Sequence, residues 1–168
     1  MKVVAYVLLL VSLNGCASPG RWAEIDLVLP PNNAGKAVIA PGKYRSKDTM
    51  FVYCPLDLPL VVGFVAVDKR VENMPNKITI RRGGKEIEIK GRGVDSSIWF
   101  EDEDTIMTLL SYFHDGHEFY INGVTENGIA IREMNFQSYT GGRHKNNQFS
   151  YAFKSSCEFH PEYEKYSQ

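Results

Sequence analysis

Hydrophobic residues recur along this chain mostly at a spacing of two, in short runs separated by Pro, Gly, Asn and Asp. That spacing puts successive side chains on opposite faces of an extended backbone and reads as half-buried β-strands. The clearest case is residues 77–90, KITIRRGGKEIEIK. Gly83-Gly84 can supply the positive φ of a two-residue hairpin turn, and a loop of that length sets the register. Ile80 then lies opposite Ile87, Ile78 opposite Ile89, Arg81 opposite Glu86 and Thr79 opposite Glu88. All four isoleucines fall on one face, and opposite charges meet on the other. Residues 60–67, LVVGFVAV, are apolar without interruption, which predicts a strand buried on both faces, with Gly63 marking a bulge or a close backbone approach. Further strands are expected at 24–29, 36–40, 49–53, 91–100, 117–121, 129–136 and 148–153, the last from the alternation of Phe149, Tyr151 and Phe153. Residues 68–76 read as a polar loop. Asn122-Gly123 and Asn127-Gly128 are both good turn pairs, so the register between the strands around them stays open. The spacing turns helical once: Ile106, Leu109, Leu110 and Phe113 follow the acidic run 101–104, which predicts one helix over 103–113, stopped by His114-Asp115-Gly116. The expected fold is α+β and mainly β, a single β-sandwich or curved antiparallel sheet of seven to nine strands with one short helix.

The first residues follow neither period. Lys2 precedes an apolar run of 11 residues, 3–13, broken only by Tyr6 and Ser12. A membrane-spanning helix needs roughly 20, and a run of this length followed by small residues suits a secretory leader. Leu13-Asn14-Gly15-Cys16 resembles the lipobox of bacterial lipoproteins: an aliphatic residue, a variable one, a small one, then Cys. The resemblance covers the leader only. It implies cleavage before Cys16, acylation of that cysteine, and a periplasm-facing chain held on the bilayer by lipid. Ala17, where an Asp would imply retention at the inner membrane, favours the outer one. Ordinary signal cleavage after Ala17 is the rival reading. The domain plan is a signal peptide at 1–15, a lipidated tether at 16–23, a β-rich globular domain at 24–157 and a frayed acidic tail at 158–168.

Composition narrows the function. Removing Lys2 from the 19 basic residues leaves 18 against 20 acidic, and no basic tail is present, so nucleic acid is not an expected partner. With Cys16 assigned to lipid, the three cysteines reduce to Cys54 and Cys157, a disulfide in an oxidising compartment. His114-Asp115-Gly116-His117 gathers two imidazoles and a carboxylate, but one turn supplies at most two or three ligands, so it reads as a polar turn and not a metal site. Asp95 and the run 101–104 lack calcium-loop spacing and read as a solvated helix start. No nucleophile elbow, P-loop, zincin motif or Cys–His pair is present, so no catalytic residue and no cofactor is assigned. The candidate partner-binding residues are Arg81, Arg82 and Lys85 on the basic hairpin, and Tyr139, Arg143 and His144 in the polar, Gly-rich stretch 137–147, which predicts a long exposed loop. The expected functions, in order, are a protein-binding lipoprotein (an immunity protein or inhibitor of a toxin or hydrolase), a structural component of an envelope or secretion assembly, and an envelope hydrolase.

Overall fold

A computed structural model describes residues 20–29, 33–43, 48–66, 74–138 and 148–167. The expected leader with Cys16, residues 67–73 and the candidate residues Tyr139, Arg143 and His144 lie outside the described residues. The chain is mainly β, with two antiparallel sheets and few short helices. The first sheet takes β1 (Ala23–Leu29), β2 (Asn33–Pro41), β3 (Thr49–Pro55), β4 (Val61–Val65), β7 (Arg92–Val94) and β8 (Ser97–Phe100), in the order β1-β2-β3-β4-β8-β7. The second takes β5 (Lys77–Arg82), β6 (Lys85–Lys90), β9 (Phe119–Gly123) and β10 (Met134–Phe136), in the order β10-β9-β5-β6. Three helices accompany them: α1 (Glu103–Asp115), α2 (Phe149–Cys157) and α3 (Tyr163–Tyr166).

The hairpin has the register that its turn dictates. Gly83 (φ 56°) and Gly84 (φ 78°) form the turn, and Ile80 pairs with Ile87, Ile78 with Ile89, Arg81 with Glu86 and Thr79 with Glu88. Strand β4 is buried along its whole length, with Val62 and Phe64 in the main core and Val61 and Val65 in a second cluster on the opposite face of the sheet. Gly63 is a close-approach position: a Cβ there would lie 2.4 Å from Phe51 Cζ and 2.5 Å from the Ile98 carbonyl oxygen. Phe51 and Trp99 flank it on the neighbouring strands and meet edge to face, 5.9 Å between ring centroids. Phe64 is the hub of the main core, touching rings from the first sheet (Phe100), from α1 (Phe113) and from the second sheet (Phe119 and Phe136).

Helix α1 begins where the acidic run predicts. Asp102 caps it by accepting a hydrogen bond from the Thr105 N–H, and Ile106, Leu109, Leu110 and Phe113 are its buried face. The turn left open between the later strands is the one at Asn127-Gly128: the Gly128 N–H bonds to the Thr125 carbonyl, and the Thr125 N–H to that of Ile129.

Four expectations need correction. Residues 148–153 are not a closing strand but the start of α2. Phe149, Ala152, Phe153, Ser156 and Cys157 are buried, a helical spacing, while Tyr151 is 49% exposed. Alternation over five residues fits either period, and only the continuation through Cys157 separates them. The stretch 91–100 is two strands, reversed at Asp95 (φ 50°), and the sheets hold ten strands among the described residues. Trp22, placed in the tether, is core: it packs on Phe113 and Phe149, and its indole N–H donates to Ser138 Oγ at 2.7 Å. The tail is docked, not frayed. The Leu60 N–H donates to the Glu162 carboxylate at 2.8 Å, Lys165 pairs with Glu103, and Tyr166 is buried.

Cys54 and Cys157 form a disulfide with Cα atoms 5.6 Å apart, joining β3 to the last residue of α2. Among the described residues no helix is long and apolar enough to cross a membrane.

Candidate functional site

Arg81 and Arg82 are neighbours in β5, so the strand's period of two sends them to opposite faces. Arg82 lies 4.2 Å over the Tyr112 ring, pairs with Asp115 and donates to His117 Nδ1 at 3.1 Å. Burial pushes the Asp115 carboxyl up, but the His117 N–H and the Arg82 guanidinium outweigh it and hold it below its ordinary range. Arg82, Lys85, Ile87, Tyr112 and His117 line a cleft of about 610 Å³ under the hairpin tip. Arg81 instead lies over Tyr120 at 4.6 Å and pairs with Glu133 at 3.0 Å. Lys77 and Arg92 are also paired, with Glu88 and Glu101. Distant parts of the chain thus deliver acids to Arg81 and Arg82, while Lys77 is met by the hairpin's own Glu88. The two imidazoles of the 114–117 turn diverge. His117 is exposed, while His114 sits edge-on to Phe149 at 4.7 Å with Nδ1 3.0 Å from Ser150 Oγ, and burial lowers its pKa. Among the described residues no three His, Cys, Asp or Glu side chains gather as metal ligands would.

On the outer face of the second sheet, Glu118 is a polar hub. It accepts from Lys43 Nζ at 2.9 Å, from the Tyr120 hydroxyl at 2.8 Å and from the Asn135 amide. These three donors, Lys43 first, hold its carboxyl at about 2. The Lys43 N–H also bonds to the Asn135 carbonyl, so the network ties the segment before β3 to β10. With its lone pairs engaged and its charge neutralised, this hub is a structural clamp more than a ligand site.

A different surface lies at one end of the first sheet. The register places Ala23, Pro41, Thr49, Val65 and Ser97 at one pole and Leu29, Asn33, Pro55, Val61 and Phe100 at the other. From the second pole, where Tyr53, Pro55, Leu58 and Val61 line it, an apolar cleft of about 410 Å³ runs along the sheet to Trp99 and to Val94, which pairs with Ser97, and its lining also holds Arg92 and Glu101, 2.6 Å apart. The cleft is preformed. The Tyr53 hydroxyl donates to the Asn33 carbonyl at 2.7 Å, and burial pushes its pKa up. The Trp99 indole N–H donates to Ser97 Oγ at 2.7 Å. Leu58 in the wall of the cleft and Leu56 two residues earlier are 46 and 68% exposed, and Phe159 is 90% exposed. Phe159 belongs to the segment that His160 ties to the Leu58 carbonyl at 2.9 Å and that the disulfide ties to β3.

No family model, curated protein or solved structure matches this chain. Sequence reasoning missed the apolar pole. One local signal was present: Leu56 and Leu58 stand in a turn bounded by Pro55 and Pro59, where a core contribution is not expected. The pairing of Tyr53 with Trp99 has no such signal, because it arises only from strand order.

Proposed function

We propose that the chain is a lipid-anchored binding module of the bacterial envelope, holding a protein partner at the pole opposite its anchor. The leader supplies the anchor reading, since its lipobox-like end places an acylated Cys16 four residues before Gly20. Four residues reach at most about 14 Å. The Gly20 N–H bonds to the Pro41 carbonyl, so the chain leaves the domain at the pole of Pro41 and Thr49. Strand β1 alone carries the fold about 20 Å further. The observation that carries the reading is this opposition: three large exposed apolar side chains stand at the end of the sheet remote from the tether, and a preformed apolar cleft opens from that end. Isolated apolar residues on a surface need no explanation, whereas a grouped set around a cleft marks a binding surface. A rigid body stitched by a disulfide spends little ordering free energy on binding, which suits an inhibitor or immunity protein that neutralises a toxin or hydrolase.

The test has two arms. Palmitate labelling of the full-length chain in the producing cell should occur and be abolished by Cys16→Ser; labelling that persists removes the anchor. A photo-crosslinking side chain at Leu56 should capture a discrete protein in intact envelopes, and one at Lys85 should not. Adducts at neither position, or equal adducts at both, defeat the polarity argument.

A further inference from the structure

We infer that the cleft between Tyr53 and Trp99 receives a large apolar side chain from a protein whose surrounding surface is basic. This rests on the binding reading above and names the partner's chemistry. The cleft, about 410 Å³, lies near the small end of the roughly 300–1,000 Å³ range of ligand clefts, which suits a side chain and not an extended peptide. A partner cannot dock by adding a strand beside the cleft, because the edge strand β7 is already closed. The Gly93 N–H donates to Asn76 Oδ1 at 2.8 Å, and a Cβ on Gly93 would lie 1.9 Å from the Met74 carbonyl oxygen. Insertion of a side chain from above is the route left by the geometry.

Charge selects the partner. The exposed apolar residues alternate with acids along the chain: Asp57 stands between Leu56 and Leu58, and Glu158 precedes Phe159. Asp102 and Asp104 follow the cleft's own Glu101, and Glu164 lies on α3. Of the cations in these segments, Arg92 and Lys165 are paired with Glu101 and Glu103, which leaves Lys154, one helical turn before Glu158, against a larger number of acids. Among the described residues Asp57, Asp104, Glu158 and Glu164 enter no ion pair. The pole is thus apolar with an acidic surround, a surface that attracts a basic protein. It repels an anionic leaflet, and it faces away from the tether, so the bilayer is not the occupant.

The experiment uses the full-length chain and the fluorescence of Trp99. The second tryptophan, Trp22, is buried in the core and reports little. The probes are twelve-residue Lys/Arg-rich peptides with a central Phe, the same peptides with a central Ala, and versions with every base replaced by Glu. The Phe peptide should shift Trp99 emission saturably. Central Ala and charge reversal should each weaken binding at least tenfold, and the substitution Leu58→Asn at a half-exposed position should do the same without changing the melting temperature. Equal binding of Phe and Ala peptides, or no shift by any of them, overturns the inference. So does a larger Trp99 shift with phosphatidylglycerol vesicles, which would make the pole a lipid surface. Concentration-dependent self-association that Phe159→Ser abolishes would put a second copy there and overturn it too. If Leu56 still crosslinks to an envelope protein while Leu58→Asn leaves that adduct unchanged, the cleft assignment fails and the binding reading stands.

Discussion

The disulfide offers the sharpest test of how the body is held together. Cys54 and Cys157 are 103 residues apart and close a loop that contains most of the fold. Cross-linking removes loop-closure entropy from the unfolded chain, and for a loop of about 100 residues the chain-entropy model gives about 4.7 kcal/mol at 25 °C. Both cysteines are buried, Cys157 wholly so, and the bond pins α2 and the docked segment after it to β3. Replacing both by Ala should therefore lower the unfolding free energy by about 3–5 kcal/mol. In a domain of this size that corresponds to about 6–20 °C in melting temperature. The measurement is thermal and urea unfolding of the wild type with and without reductant, beside the double variant. Reduced wild type and double variant should fall together, because both lose the same cross-link. The urea m-value should rise in both, because their unfolded chains are less compact. The native thiols should resist alkylation until the protein unfolds. A melting temperature within 2 °C of the oxidised wild type, or free alkylation of the native protein, would refute the reasoning.

Three further outcomes are expected. Gly63→Val should destabilise the fold by about 1–3 kcal/mol in urea titrations, since the new side chain meets the Phe51 ring and the Ile98 carbonyl; a neutral result would mean that the sheet is looser than its contacts. Glu118, held at about 2 from an ordinary 4.5, contributes stability that is complete above pH 5 and is lost as pH falls through 2. Glu118→Gln should therefore remove on the order of 2 kcal/mol at pH 7 and flatten that decline, read by unfolding at stepped pH, while the loss from protonating His114, whose pKa burial lowers, persists below about pH 6.5 in both proteins. Arg82→Lys keeps the charge but not the planar stack on Tyr112 and should cost about 1 kcal/mol, whereas an unchanged midpoint would show that the stacking contributes nothing.

What the sequence determined alone was everything set by neighbours in the chain. The hairpin register follows from a two-residue Gly-Gly turn and the alternation of four isoleucines, and α1 follows from acids ahead of a helical apolar spacing. Burial of β4 on both faces follows from an apolar run that no half-buried strand would carry. The pair expected from the cysteine count, Cys54 with Cys157, is a disulfide. Tertiary structure decided the rest. Five residues of FSYAF satisfy either period, and packing against Trp22, Phe113 and the disulfide makes them helix. Arg81 and Arg82 differ by one position and end in different networks, because partners such as Glu133 and Asp115 arrive from other elements. The apolar cleft exists only because β3, β4 and β8 are adjacent, which brings Tyr53 and Trp99 together across Val61 and Gly63. Short-range patterns carry the local backbone choice, whereas strand order and side-chain convergence depend on contacts between distant residues that no window along the chain contains.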